Sequence, residues 1–135
     1  MAAFMKPYAA QTYAVMRIIV GLLFMSHGLS KLLGWPTAMP AEAPAAILYS
    51  AGPIEAVGGA LVALGLFTRW AAFVCSGEMA FAYWIGHGTK AWHPAVNGGE
   101  LAVIYCFLFL FIAAYGSGIW SVDASRGAGE LRATA

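Results

Sequence analysis

Seven ionisable side chains interrupt or border the long apolar stretches of this chain: Arg17, His27, Lys31, Glu55, Glu78, His87 and Glu100. Their types suit proton chemistry and the holding of polar head groups. Histidine titrates near neutral pH, glutamate can give or take a proton, and arginine or lysine can hold a carboxylate. Two histidines and two glutamates drawn together could bind a head group, relay protons or hold a metal. The metal reading is set aside, because no H-x-x-x-H or E-x-x-H pair stands on one stretch. The two cysteines, Cys75 and Cys106, form no C-x-x-C and are expected to be small packing residues rather than a disulfide or redox pair.

The medium in which these groups act follows from composition. Of 135 residues, 61% are hydrophobic and 10% charged, against about 45–50% and about 25% in an average soluble domain. A soluble core of this size could not hide so much apolar surface, so lipid must cover part of it. The net charge of +1 and the lack of a basic stripe exclude nucleic acid as a partner. Within hydrocarbon each charge costs about 2.5–3.5 kcal/mol at a helix centre, so the ionisable residues must find one another inside the protein.

Four segments are long enough to carry them across a membrane: 13–33, 47–67, 70–86 and 101–119. Turn residues separate these spans: Gly34-Trp35-Pro36 with Pro40 and Pro44, then Thr68-Arg69, then the stretch from Gly88 to Gly99 with Pro94. Pro53 falls inside the second span, where a kink is expected. The first span is read as a retained helix, since Arg17, His27 and Lys31 punctuate it and it exceeds a signal-peptide core. The fold class expected is therefore an all-α membrane protein, a single four-helix transmembrane domain. Lys6, Arg69, Arg126 and Arg132 at one set of ends, against Lys31 and Lys90 at the other, favour both termini inside. Glycines spaced seven apart on the second span, Gly52 with Gly59 and Gly58 with Gly65, predict a small-residue seam for close helix packing.

Depths counted at about 1.5 Å per residue sort the ionisable residues into two layers. Arg17 and Glu78 fall in the inner half and are expected to form an ion pair that fixes helix register. His27, Lys31, Glu55, His87 and Glu100 fall in the outer half, beneath a loop carrying His93 and Asn97. Arg17, Gly21, Phe24 and Lys31 share one helix face with His27 or Gly28, which aims this outer cluster inward.

Several ordered motifs give the chain a resemblance. Residues 17–32, reading RIIVGLLFMSHGLSKL, resemble the R…G…F…HG…KL signature of the DoxX family of small four-helix membrane proteins. Glu55-Ala56-Val57-Gly58-Gly59 and Gly65-Leu66-Phe67-Thr68-Arg69 resemble its E-x-x-G-G and G-x-x-T-R elements. Asn97-Gly98-Gly99-Glu100 is followed by Tyr105, and residues 116–123, GSGIWSVD, resemble its closing G-x-G-x-x-S-x-D. Membership implies links to oxidoreductase systems, among them a membrane subunit of thiosulfate:quinone oxidoreductase. On that resemblance the chain is expected to be a subunit of an oxidoreductase or respiratory assembly in the bacterial cytoplasmic membrane, in contact with other membrane or membrane-associated subunits. His27, Glu55 and Glu100 would serve proton transfer to a quinone, with Lys31, His87 and Tyr105 holding it. The competing expectation, raised by the lack of an electron carrier in the chain, is a non-catalytic accessory or anchoring subunit.

Overall fold

The computed structural model describes residues 3–40 and 44–127, so Arg132 of the charge count lies outside the described residues. Within them the chain is all-helical. A 3-10 turn at Lys6–Tyr8 leads into α1 (Ala9–Leu33), followed by α2 (Ala45–Leu64) and α3 (Thr68–Tyr83). A short α4 (Pro94–Asn97) precedes α5 (Glu100–Tyr115), and a short α6 (Val122–Ser125) closes the described chain. Beyond Tyr83 the third helix widens into a π turn, Trp84–Gly88.

Two helices, Lys6–Leu33 and Ala45–Leu64, are long and apolar enough to cross a membrane by length and composition. The fourth long helix is shorter than expected. An apolar run through Ile119 suggested a longer span, but α5 stops at Tyr115 because Gly116 adopts φ 105 and ψ −164, which only glycine reaches without strain. Thr68 and Arg69, expected as a connecting turn, instead open α3, and Gly65-Leu66-Phe67 makes the turn. Helix α2 runs on through Pro53.

Helix α1 packs mainly on α2, and α3 mainly on α5, with α2 against α3 joining the two pairs. The first contact is made by glycine. A Cβ on Gly21 would stand 2.5 Å from Ala63 N and 2.7 Å from Gly59 O, and one on Gly59 would stand 2.6 Å from Gly21 O. Gly28 meets Gly52 O and Ala56 in the same way, one heptad along. Backbone touches backbone along this seam, the arrangement by which membrane helices associate without a hydrophobic drive. Across the bundle α1 and α5 are instead held apart by rings. Phe24 lies 4.6 Å from Phe109 and 5.2 Å from Tyr105, centroid to centroid. Cys75 is buried against Gly58, and both cysteines are free. Outward faces carry large apolar side chains such as Leu23, Val57, Phe73, Phe81 and Phe107, all exposed to whatever surrounds the protein.

Candidate functional site

Two polar assemblies occupy opposite ends of the long helices, and they differ in kind. The first is dense in hydrogen bonds, with Arg17 Nε its one described buried polar side-chain atom lacking a partner. Arg17 is fully buried, and its guanidinium donates to Val62 O at 2.5 Å, Ala63 O at 2.8 Å and Trp120 O at 2.7 Å. The first two are carbonyls of the last turn of α2, of which Val62 O also accepts from the C-cap amide of Gly65 at 3.1 Å. Arg69 does the same for α5, donating to Ala113 O at 2.9 Å, Ala114 O at 2.6 Å and Tyr115 O at 3.2 Å. Each arginine thus places a cation on the negative end of a neighbouring helix. Asp123 answers at the opposite pole of α3, whose N-terminus has no capping side chain of its own. Its carboxylate accepts from Phe67 N at 3.0 Å, Thr68 N at 2.9 Å and Thr68 Oγ1 at 2.8 Å. Partial burial pushes the Asp123 carboxyl up, but the hydrogen bonds from Thr68 and Phe67, with Arg126 nearby, hold it below the usual carboxylate range. Tyr13 completes the assembly by donating its hydroxyl to Gly116 O.

This end contains the only two described non-glycine residues at positive φ, Phe67 at 49 and Trp120 at 55. Such conformations cost about 1–3 kcal/mol and persist where their surroundings hold them. Here Asp123 binds the amide of Phe67, and Arg17 binds the carbonyl of Trp120.

Arg17 therefore does not pair with Glu78, contrary to the expectation from depth. Depth counted from Trp70 put Glu78 too near the inner end. Helix α3 begins at Thr68 with Arg69 in its first turn, so Glu78 lies about 15 Å along it. Arg17 is level with the last turn of α2 and finds carbonyls there.

The second assembly is a cavity of about 750 Å³ toward the other end of the helices, and its walls are mostly apolar. Phe24, Ile54, Met79, Leu101 and Tyr105 form much of the wall. Into it come His27 and Lys31 from α1, Glu55 from α2, Glu78 from α3 and His87 from the π turn. Lys31 Nζ and Glu55 Oε2 form an ion pair, with Glu55 buried. Glu78 Oε2 is buried and has no hydrogen-bond partner. The His27 ring stands edge-on to Tyr105, centroids 6.0 Å apart, and His27 itself is exposed. His87 Nδ1 lies 3.1 Å from Asn97 O, so the π turn is tied to the loop before α5. Asn97 is buried and anchors that loop, donating to Ala91 O at 2.9 Å and Tyr83 Oη at 3.1 Å and accepting from Gly99 N at 2.8 Å.

Of the residues singled out from sequence, His27, Lys31, Glu55, His87 and Tyr105 line this cavity, and so does Glu78, which had been assigned elsewhere. Glu100 does not. It is exposed at the first position of α5 and lies outside the cavity lining. At 100° per residue it points about 200° away from Ala102, which faces inward. No group of three or more metal-ligating side chains occurs among the described residues. The capping roles of Tyr13, Arg69 and Asp123 were not anticipated. In the sequence Arg69 and Asp123 fall within motifs of the family resemblance.

A model of the DoxX family matches residues 12–88, more than half of the chain. The chain belongs to the DoxX family. The match takes in Arg17, Lys31, Glu55, Thr68, Arg69, Glu78 and His87 but ends before α5 and Asp123, which the structure joins to them. This DoxX protein is also similar to an uncharacterized protein of Haemophilus influenzae, 41% identical over 125 residues that cover 88% of this chain and 93% of the relative. No solved structure matches it. DoxX membership and the apolar helices make it a membrane protein in contact with the lipid bilayer, from a family often associated with oxidoreductase-related functions.

Proposed function

We propose that this DoxX protein is a four-helix transmembrane bundle of the bacterial cytoplasmic membrane, with both termini inside, and that it serves as the quinone-binding membrane subunit of an oxidoreductase assembly. The observation that carries this reading is the cavity. It combines a volume suited to a small ring with apolar and aromatic walls and a few convergent polar groups. The residues fit a quinone substrate in two respects. Phe24 and Tyr105 offer flat apolar surface to a ring, and the buried, unpartnered Glu78 Oε2 marks a place where a ligand's polar atom is wanted.

Within that reading the chain's own residues divide the work. His27, exposed and against Tyr105, is placed to pass protons between water and the cavity. The Lys31–Glu55 pair fixes the electrostatics of the inner wall, because each partner would be costly in lipid alone. His87 closes the side nearest the loop. Electrons come from a partner subunit.

The test is equilibrium binding of decylubiquinone to the purified protein in nanodiscs, measured against empty nanodiscs. Saturable binding is expected, weakened by about tenfold in His27→Ala, the loss of one good hydrogen bond, with the yield of folded protein unchanged. If the wild-type protein shows no saturable binding, the quinone role is wrong. An anchoring subunit without a substrate of its own is then the better account.

A further inference from the structure

Of the three carboxylates Glu55, Glu78 and Glu100, sequence reasoning assigns Glu55 and Glu100 proton roles and Glu78 an ion pair, and the structure separates them differently. Glu55 already holds Lys31, and Glu100 stands outside the cavity. Glu78 lines the same cavity, is carried by a different helix, and keeps one oxygen buried with nothing to bond. A native protein rarely leaves such an atom idle without a functional reason. The charge count of the enclosure bears on its state. One ammonium, Lys31, already balances one carboxylate, Glu55, so an ionised Glu78 would leave an uncompensated negative charge among apolar walls. A protonated Glu78 removes that charge and provides an unused O–H donor on the cavity wall.

We propose that Glu78 is the carboxyl that gives a proton to the quinone oxygen in this cavity, a role that rests on the quinone reading above. As two electrons arrive from the redox centre of a partner oxidoreductase subunit, the Glu78 O–H bond breaks and an O–H bond forms on the nearer quinone oxygen. The carboxylate left behind accepts a hydrogen bond from the new hydroxyl. The second proton comes from water by way of the His27 ring, and Glu78 is reprotonated by the same route once the quinol has left. The balance is two electrons and two protons per quinol. His87 and Tyr105, the other titratable groups on the wall, serve to position the ring.

Infrared difference spectroscopy of the nanodisc-held full chain tests this, with bound decylubiquinone reduced electrochemically. In the wild type a carboxylic-acid C=O band should change on reduction, be missing in Glu78→Gln and be displaced in Glu78→Asp. Decylubiquinol should bind Glu78→Gln about tenfold more weakly than wild type, because a charge-assisted hydrogen bond is lost. An unchanged band in Glu78→Gln, or unchanged quinol affinity, overturns the assignment of Glu78. Should Glu78→Gln fail to fold, an undisplaced band in Glu78→Asp overturns it equally. A wild-type protein that binds no decylubiquinone fails at the earlier step and removes the quinone reading together with this one.

Discussion

A buried arginine can be satisfied in two ways, and the choice is not visible in a list of residue types. Arg17 needs hydrogen-bond acceptors, and charge arithmetic offered Glu78. The folded chain offers the carbonyls of Val62, Ala63 and Trp120 instead. Helix ends carry partial negative charge that composition does not count. Asp123 shows the converse, a carboxylate spent on the positive end of α3. Replacing it with alanine should lower stability by about 1 kcal/mol at neutral pH, the usual cost of losing a helix cap. Its folded-state carboxyl titrates below the usual carboxylate range, so the ionised form is the stabilising one. The stabilisation is therefore full above about pH 4, the range of an unfolded aspartate, and is lost as pH falls through the lower folded value. Thermal melts of wild type and Asp123→Ala in detergent should show a gap that is constant from neutral pH down to about pH 5 and narrows at more acid pH. A gap that persists unchanged in acid would mean that the carboxylate is not the source.

Among the helices, the spacing of small residues was the most legible feature. Gly52 and Gly59 stand seven apart, and the structure puts both against α1, where Gly28 and Gly21 meet them. Gly77 had the same standing by composition, yet nothing lies within 4 Å of where its Cβ would be. Periodicity shows which residues share a face, but the partner of that face is decided by tertiary packing. The two glycines should part accordingly. Gly59→Val forces a side chain into the α1 backbone and should cost at least about 1–3 kcal/mol, the usual range for overpacking, whereas Gly77→Ala should be tolerated. Fluorescence-detected size exclusion of both variants checks this, and equal monodisperse yields would contradict the seam. The end of α5 was illegible for a different reason. Apolar residues return at Ile119 and Trp120 beyond Gly116-Ser117-Gly118, and the backbone angles of Gly116 show that the helix has already stopped.

At the scale of the whole molecule the two ends are built to opposite rules, one closed by hydrogen bonds and one left hollow. The candidate cavity was largely readable, since five of its polar or aromatic lining residues were named from sequence. Glu100 falls outside because linear depth says nothing of which way a side chain faces, and Glu78 falls inside because α3 starts at Thr68 rather than Trp70. Sidedness follows from charge. Lys6, Arg69 and Arg126 lie at the closed end, and Lys31 and Lys90 toward the hollow one, so the closed end should face the cytoplasm. A C-terminal fluorescent-protein fusion should accordingly glow and a C-terminal alkaline phosphatase fusion stay inactive; an active phosphatase would reverse the orientation. The crossed capping also constrains how the chain is made. While α1 alone has emerged from the ribosome, Arg17 has no carbonyls to hold, and a charge left unpaired against lipid is costly. Its acceptors arrive only with residues 62 and 63, the end of α2, and those of Arg69 only with residues 113 to 115, the end of α5. Each arginine is thus satisfied only by a helix made after its own, so α1 is expected to settle in the bilayer together with α2 and α3 together with α5, and Trp120 closes the first pair only when translation is nearly finished.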